Sequence, residues 1–303
     1  MQSLLTHPNF DALGDEVEAL LPGKIQRVKM KFGTFDDGWP NFFIGDVKTT
    51  VEHEEVTYVG DFSRPEDVFA NYAAIRGILD YYAEKVRVIV PYFPVGTMER
   101  ISKKGEVATA AYYADILSHL PEGRSGKTSL HTFDIHALSE RFFFDPFKVN
   151  LELHSAMKLL EIPEGAAVVF PDDGAAKRFG DTFPNHEKIV CIKIREGDKR
   201  IISIKEGDPA GKDVVIVDDL IQTGGTLREA ADLLRAKGAK SVTAFAPHGV
   251  FPNGSEKRLA EHVDRLVVTN SLPQNVERAE SVPNMSVLSV APLVAKIIGR
   301  AAK

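Results

Sequence analysis

The sequence predicts an α/β protein of two domains with mainly parallel central sheets flanked by helices. Short runs rich in β-branched residues alternate with stretches of helical period along the whole chain, the rhythm of strand–helix–strand units. The runs are Val86–Val90, Leu130–Ile135, Ala166–Phe170, Ile189–Ile192, Val214–Val217, Val242–Ala246 and Leu266–Val268. The chain has 303 residues, room for two domains at roughly 150 residues each. The division is placed at 1–150 and 151–303, with the last helix packing back on the first domain. Phe10, Leu13, Val17, Leu20 and Leu21 share one helical face. Val68, Phe69, Tyr72, Ile75, Leu79 and Tyr82 share another, with Ser63 as a cap ahead of Pro65. Thr109–Leu120 and Thr226–Lys237 read as further helices, the second stopped by Gly238. Antiparallel pairing is expected at Ile25–Phe32 and Ile201–Ile204, where no helix separates strand-like runs.

Composition narrows the function classes. Lys and Arg number 37 against 43 Asp and Glu, a net charge of -6, which argues against nucleic-acid and membrane partners. A hydrophobic share of 44% and a charged share of 26% are those of a soluble globular protein. No signal-peptide pattern opens the chain, and no apolar run nears the ~20 residues of a membrane span. A cytoplasmic, reducing compartment is expected, a removed organellar transit peptide being the alternative. The single cysteine, Cys191, has apolar flanks and reads as a buried strand thiol.

The strongest motif runs from Val214 to Thr226. Four β-branched residues lead into Asp218-Asp219, then Leu220-Ile221-Gln222-Thr223-Gly224-Gly225-Thr226 and a helix beginning near Thr226. Strand ends at the carboxyl edge of a parallel sheet are where α/β proteins hold ligands. Gly224 and Gly225 allow positive φ and close approach of an anion. Loop N–H groups and the helix N-terminus favour phosphate, with Thr223 and Thr226 adding hydroxyls. Asp218 and Asp219 face sugar hydroxyls, directly or through a metal. The bland alternative is a strand–loop–helix turn with Thr226 as its N-cap.

This loop resembles the fingerprint of type I phosphoribosyl proteins, which bind ribose 5-phosphate or its 1-diphosphate. Other stretches resemble one branch of that group, the ribose-phosphate diphosphokinases, in order over nearly the whole chain. Phe133-Asp134-Ile135-His136-Ala137 is similar to the Asp-Leu-His-Ala segment of these enzymes. Val169 to Arg178 is similar to their Pro-Asp-x-Gly turn, and Cys191 to Arg195 to the segment with their Lys-x-Arg pair. Phe32 to Asn41 resembles the nucleotide-base loop, Tyr92 to Arg100 the ATP phosphate loop, and Val287 to Leu293 the final strand and helix. Taken alone, His136 reads more often as structural, Asp172 and Asp173 as a cap or turn, and Lys193 with Arg195 as a solvated strand face.

The resemblance implies two phosphoribosyltransferase-like domains with the active site at their interface. It implies transfer of the diphosphate of ATP to the C1 hydroxyl of ribose 5-phosphate. Lys193 and Arg195 would be catalytic. Asp218, Asp219, Gln222, Thr223, Gly224, Gly225 and Thr226 would hold ribose 5-phosphate. Phe35, Asp37, Trp39, Glu99, Arg100 and His136 would hold ATP, and His136 with Asp172 would hold Mg²⁺. A homo-oligomer is implied. The likeness is to the class II, plant-type enzymes, through Phe35 to Asn41, Gly96 to Arg100 and His248 to Asn253. Thr97-Met98 replaces the Arg-Gln pair of class I, Gln222 an acid, and Trp39 a frequent carboxylate, so donors other than ATP are expected. Two alternatives stay open: a phosphoribosyltransferase consuming the diphosphate, and a non-catalytic regulatory homologue.

Overall fold

The computed structural model describes residues 2–196 and 199–301, with side chains for all but 195, 196, 199, 200, 300 and 301. The chain divides into two compact units, Met1–His154 with Val290–Lys303, and Ser155–Ser289. The boundary falls beyond 150 because Asn150–His154 is a strand of the first sheet.

The first unit contains β1 (Gln2–Thr6), α1 (Asp11–Leu20), β2 (Ile25–Arg27), β3 (Met30–Thr34), β4 (Pro40–Ile44), α2 (Val47–Thr50), β5 (Glu55–Val59), α3 (Pro65–Asp80), β6 (Lys85–Val90), α4 (Thr109–Ser118), β7 (Ser129–Phe133) and β8 (Asn150–His154). Six strands form one parallel sheet in the order β2-β1-β5-β6-β7-β8. Of the stretch expected to be antiparallel, Ile25–Arg27 instead joins this sheet parallel to β1. The antiparallel partner pair is β3 with β4, a separate hairpin. Alternate strand residues Val56, Tyr58, Val88, Val90 and Leu130 meet Ile75 and Ile78 of α3 in a dry core. Ser63 does not cap α3. The N-cap is Arg64 with Pro65 in the first turn, where proline's fixed φ suits helix entry and its missing N–H costs nothing.

The second unit contains β9 (Ala167–Phe170), α5 (Asp173–Phe179), β10 (Lys188–Glu196), β11 (Lys199–Glu206), β12 (Asp213–Val217), β13 (Leu220–Ile221), α6 (Gly225–Ala236), β14 (Ser241–Phe245), β15 (His248–Gly249), α7 (Ser255–Ala260), β16 (Arg265–Thr269), α8 (Asn275–Ser281) and β17 (Met285–Leu288). Its sheet runs β11-β10-β9-β12-β14-β16-β17, parallel except for the β10–β11 hairpin. Val169 and Ile216 bury against Leu227, Ala231 and Leu234 of α6. Val168, Phe170, Val215 and Val217 bury in a second cluster with Phe179 of α5. Both sheet faces are thus covered, which is why these strands read as unbroken apolar runs. Cys191 is buried in β10, and burial pushes its thiol up to about 11. The final helix, α9 (Ala291–Ala301), packs on α1 of the first unit.

Candidate active site

In the second unit β12 ends in Asp218 and Asp219. The Asp219 N–H donates to Asp218 Oδ1 at 2.9 Å. Asp219 is buried and its Oδ2 meets Arg178 Nη1 at 3.3 Å. The Arg178 guanidinium stands 4.7 Å over the Phe179 ring. Burial, then the adjoining Asp219, pushes the Asp218 carboxyl well above the usual carboxylate range, and Asp172 acts in the same direction.

The loop that follows differs in detail from its sequence reading. Gly224 is the N-cap of α6 in the left-handed region, φ 73°, and a Cβ there would stand 3.2 Å from Leu259. Gly225 is the first helical residue and does not share that conformation. Thr226 is therefore not the cap. Its hydroxyl accepts a hydrogen bond from Lys193 Nζ at 2.9 Å, from the exposed side of β10. Gln222 and Thr223 are exposed, and Ser255 Oγ donates to the Gln222 carbonyl at 3.2 Å, tying the loop to α7. The first amides of α6 have no helical acceptors and point at this loop. Asp172 caps α5, its Oδ1 accepting from the Ala175 N–H at 2.9 Å.

In the first unit the β3–β4 turn is closed by Phe35 N–H to Trp39 O and Gly38 N–H to Phe35 O, both 2.8 Å. The Asp37 carboxylate accepts from the Trp39 N–H at 3.2 Å. A cleft of about 710 Å³ opens beside the hairpin, walled in part by His7, Phe32, Asp37, Trp39 and Phe69. Trp39 meets Phe69 edge-on, with centroids 5.4 Å apart. Phe35 is 55% exposed and lies outside the cleft wall. After β6, Gly96 packs so tightly that a Cβ would come within 2.9 Å of His136 Cβ and 3.3 Å of the Glu140 carboxylate. That close approach brings the 96–100 loop against the half-buried His136. Arg100, 82% exposed, pairs with Glu99 at 3.4 Å.

Residues 184–303 match the family model described as a phosphoribosyl synthetase-associated domain. The fold superposes on phosphoribosylpyrophosphate synthetase from Mycobacterium smegmatis with a TM-score of 0.79 at 25% identity, covering 99% of this chain and 98% of that one. Among curated relatives, ribose-phosphate pyrophosphokinase 4 of Oryza sativa subsp. japonica is 40% identical over 86% of this chain and 85% of its own. Ribose-phosphate pyrophosphokinase 3, mitochondrial, of Spinacia oleracea is 39% identical over 95% of this chain and 74% of its own. The chain belongs to the ribose-phosphate pyrophosphokinase family. For a member of this family the predicted residues sort by unit. The base hairpin, the Glu99–Arg100 loop and His136 belong to the first; Asp172, Lys193 and the 218–226 loop belong to the second. The Arg195 side chain lies outside the described residues. Phe32 falls within the stretch read as the nucleotide-base loop, whereas His7 and Phe69 were missed as cleft residues. Phe69 alone left a signal, as a large aromatic that is 53% exposed on α3.

Asp172, Asp218 and Asp219 are oxygen donors of the kind a hard divalent cation takes. Asp172, Asp218 and Asp219 lie close enough for each carboxylate to raise the charge cost at Asp218. Such mutual repulsion is what a cation relieves. The Asp172 cap occupies lone pairs of Oδ1 and leaves Oδ2 outside that bond. No helix among the described residues is long and apolar enough to cross a membrane.

Proposed function

We propose that the chain transfers the diphosphate group of ATP to the C1 hydroxyl of ribose 5-phosphate, giving 5-phosphoribosyl 1-diphosphate and AMP. The observation that carries this reading is the 218–226 loop: two strand-end carboxylates, a glycine-capped helix N-terminus and the Lys193 ammonium held on Thr226. In phosphoryl transfer the protein contributes positioning and charge neutralisation. Asp218 and Asp219 take the ribose hydroxyls, with Arg178 orienting Asp219. The 222–226 loop takes the 5-phosphate. Lys193 and Arg195 face the charge that develops on the transferring diphosphate. Trp39 and Phe35 take the nucleotide base, with Arg100 and Glu99 toward its phosphates. His136 and Asp172 are the residues expected to hold Mg²⁺, which would supply neutralisation of phosphate charge. The test is release of AMP from ATP that depends on ribose 5-phosphate. Release of diphosphate from the phosphoribosyl diphosphate plus a base would favour a transferase, and no turnover a regulatory homologue.

Two further expectations follow from the same residues. Trp39, Phe32, Phe42 and Phe69 give the cleft an aromatic wall, Asp67 spends both carboxylate oxygens on Arg64, and Asp37 spends one on the hairpin turn. A site that hydrogen-bonds its substrate rejects analogues by about 10⁴ or more, and an apolar one does not. GTP, CTP and UTP should therefore each give measurable turnover at saturation, and none doing so would refute this assignment of the cleft.

Asp218 has a folded pKa above its unfolded value. Its contribution to stability is complete below the unfolded value and is lost as pH rises through the folded one. Asp218→Asn keeps an acceptor for the Asp219 N–H and removes the charge. The variant should melt above wild type at pH 7, with the gain vanishing as pH falls toward about 4. It should also lose ~10–100-fold in kcat/KM, the value of a hydrogen bond to a charged group. Melting curves across pH check the first part and steady-state kinetics the second.

Assembly and compartment are separate proposals. Phe142 and Phe147 are 79% and 83% exposed near β8, which is the open edge of its sheet. We take a homo-oligomer to cover them, to be checked by light scattering. The lone buried thiol suits a reducing compartment, and fractionation decides between cytoplasm and organelle.

A further inference from the structure

The first unit carries a second polar cluster, on its sheet. His131 of β7 and Glu152 of β8 are direct cross-strand partners, and His154 follows on β8 opposite Phe133. The two-residue period of a strand places Glu152 and His154 on one face. His131 Nδ1 is 2.9 Å from His154 Nε2 and 3.7 Å from Glu152 Oε2. All three ligand atoms lie within 4.8 Å of one another. These separations bracket the edge of about 3.3 Å for a tetrahedron with metal–nitrogen bonds of roughly 2.0–2.1 Å. We propose that His131, Glu152 and His154 form a site for one zinc-class divalent ion, separate from the substrate residues.

The ligand chemistry favours that class. Two imidazoles and one carboxylate suit Zn²⁺ or Co²⁺, whereas Mg²⁺ prefers oxygen donors. A cavity of about 190 Å³, walled also by Lys85, Arg87, Ser129 and Ile297, borders the three side chains and leaves a fourth position for water. His131 is 3% exposed, and its Nε2 has no hydrogen-bond partner. The two nearby cations do not leave the cluster positive. Arg87 Nη2 faces Glu55 at 3.8 Å and Arg87 Nη1 donates to Thr57 at 2.8 Å. Glu55 is also the cross-strand partner of Lys85, and Glu152 contributes the second carboxylate. The ion would clip β7 to the open edge strand β8. The strand it holds runs directly into Asp134–Ala137, where the Asp134 N–H donates to the His154 carbonyl at 2.9 Å and His136 follows.

The test uses the full chain, stripped by chelator and titrated with Co²⁺ in saturating Mg²⁺. One equivalent should bind with the visible absorption of a tetrahedral nitrogen-ligated ion, and Zn²⁺ should displace it. His154→Ala and Glu152→Gln, both away from the core, should each weaken binding by more than ~100-fold, beyond the ~10–100-fold that loss of an outer-shell partner costs. Asp172→Asn should leave it unchanged. Absence of stoichiometric Co²⁺ binding in Mg²⁺, or an unaltered spectrum and affinity in His154→Ala, overturns the site.

Discussion

Lys193→Ala is expected to lower kcat by ~10²–10³, or roughly 3–4 kcal/mol, with little change in the KM for ribose 5-phosphate. The Lys193 ammonium reaches Thr226, the second residue of α6, with Nζ 2.9 Å from its hydroxyl. A cation at a helix N-terminus is disfavoured by the helix dipole. The contact is therefore a poor stability device, and it becomes favourable when an anion sits between ammonium and helix. Interactions gained only as charge develops on the diphosphate lower kcat and kcat/KM together when removed. Arg195 follows two residues on in the sequence, the side-chain period of a strand, so Arg195→Ala is expected to behave alike. Steady-state constants for both variants, with melting curves to confirm folding, decide the matter. A solvated Lys193 would leave kcat within a small factor of wild type, and near-normal kcat in both variants would remove the pair from the mechanism.

The parts of this fold that were legible in sequence are those where burial on both faces leaves only one kind of residue possible. Val214–Val217 and Ala167–Phe170 are central strands, and their apolar runs could be little else. Asn150–His154 was missed because an edge strand needs no such run; Asn150 and Glu152 are exposed and only Leu151 and Leu153 hint at the pairing. Of the Ile25–Phe32 stretch, Met30–Phe32 pairs antiparallel as expected, and only Ile25–Arg27 misled, for a related reason. A three-residue strand such as β2 is too short to show its direction, which comes from its register against Ser3 and Leu4. At the site, the order of motifs placed the acids and the glycine loop, but not the local geometry. The bland alternative of Thr226 as a cap fails because Gly224 takes that position with a left-handed φ. The tie from Lys193 to Thr226 spans 33 residues of sequence, and the His131–Glu152–His154 cluster depends on cross-strand register. Neither leaves a local signal. Asp172 shows that two readings of one carboxylate need not compete, since a cap uses one oxygen and a cation can take the other.

Gly225→Val is expected to weaken ribose 5-phosphate binding by about 3 kcal/mol or more, on the order of 10²-fold, because the loop amides lose a charged acceptor worth about 1.5–3 kcal/mol each. The two glycines of the loop make opposite predictions. A Cβ at Gly225 would meet only the Thr223 hydroxyl, at 3.8 Å, and its backbone is helical rather than left-handed. Valine there costs the fold nothing through helix propensity, since glycine ranks below valine in a helix. The branched side chain then stands in the open space before the helix N-terminus, the proposed seat of the 5-phosphate. Gly224 has no such latitude. Its φ of 73° is costly for any β-branched residue, and Leu259 lies 3.2 Å from the added Cβ. Gly224→Val should therefore lose stability first and binding as a consequence. Calorimetric titration with ribose 5-phosphate, paired with melting curves, separates the two cases. A Gly225→Val protein that melts normally and binds ribose 5-phosphate as wild type does would place the phosphate site away from this loop.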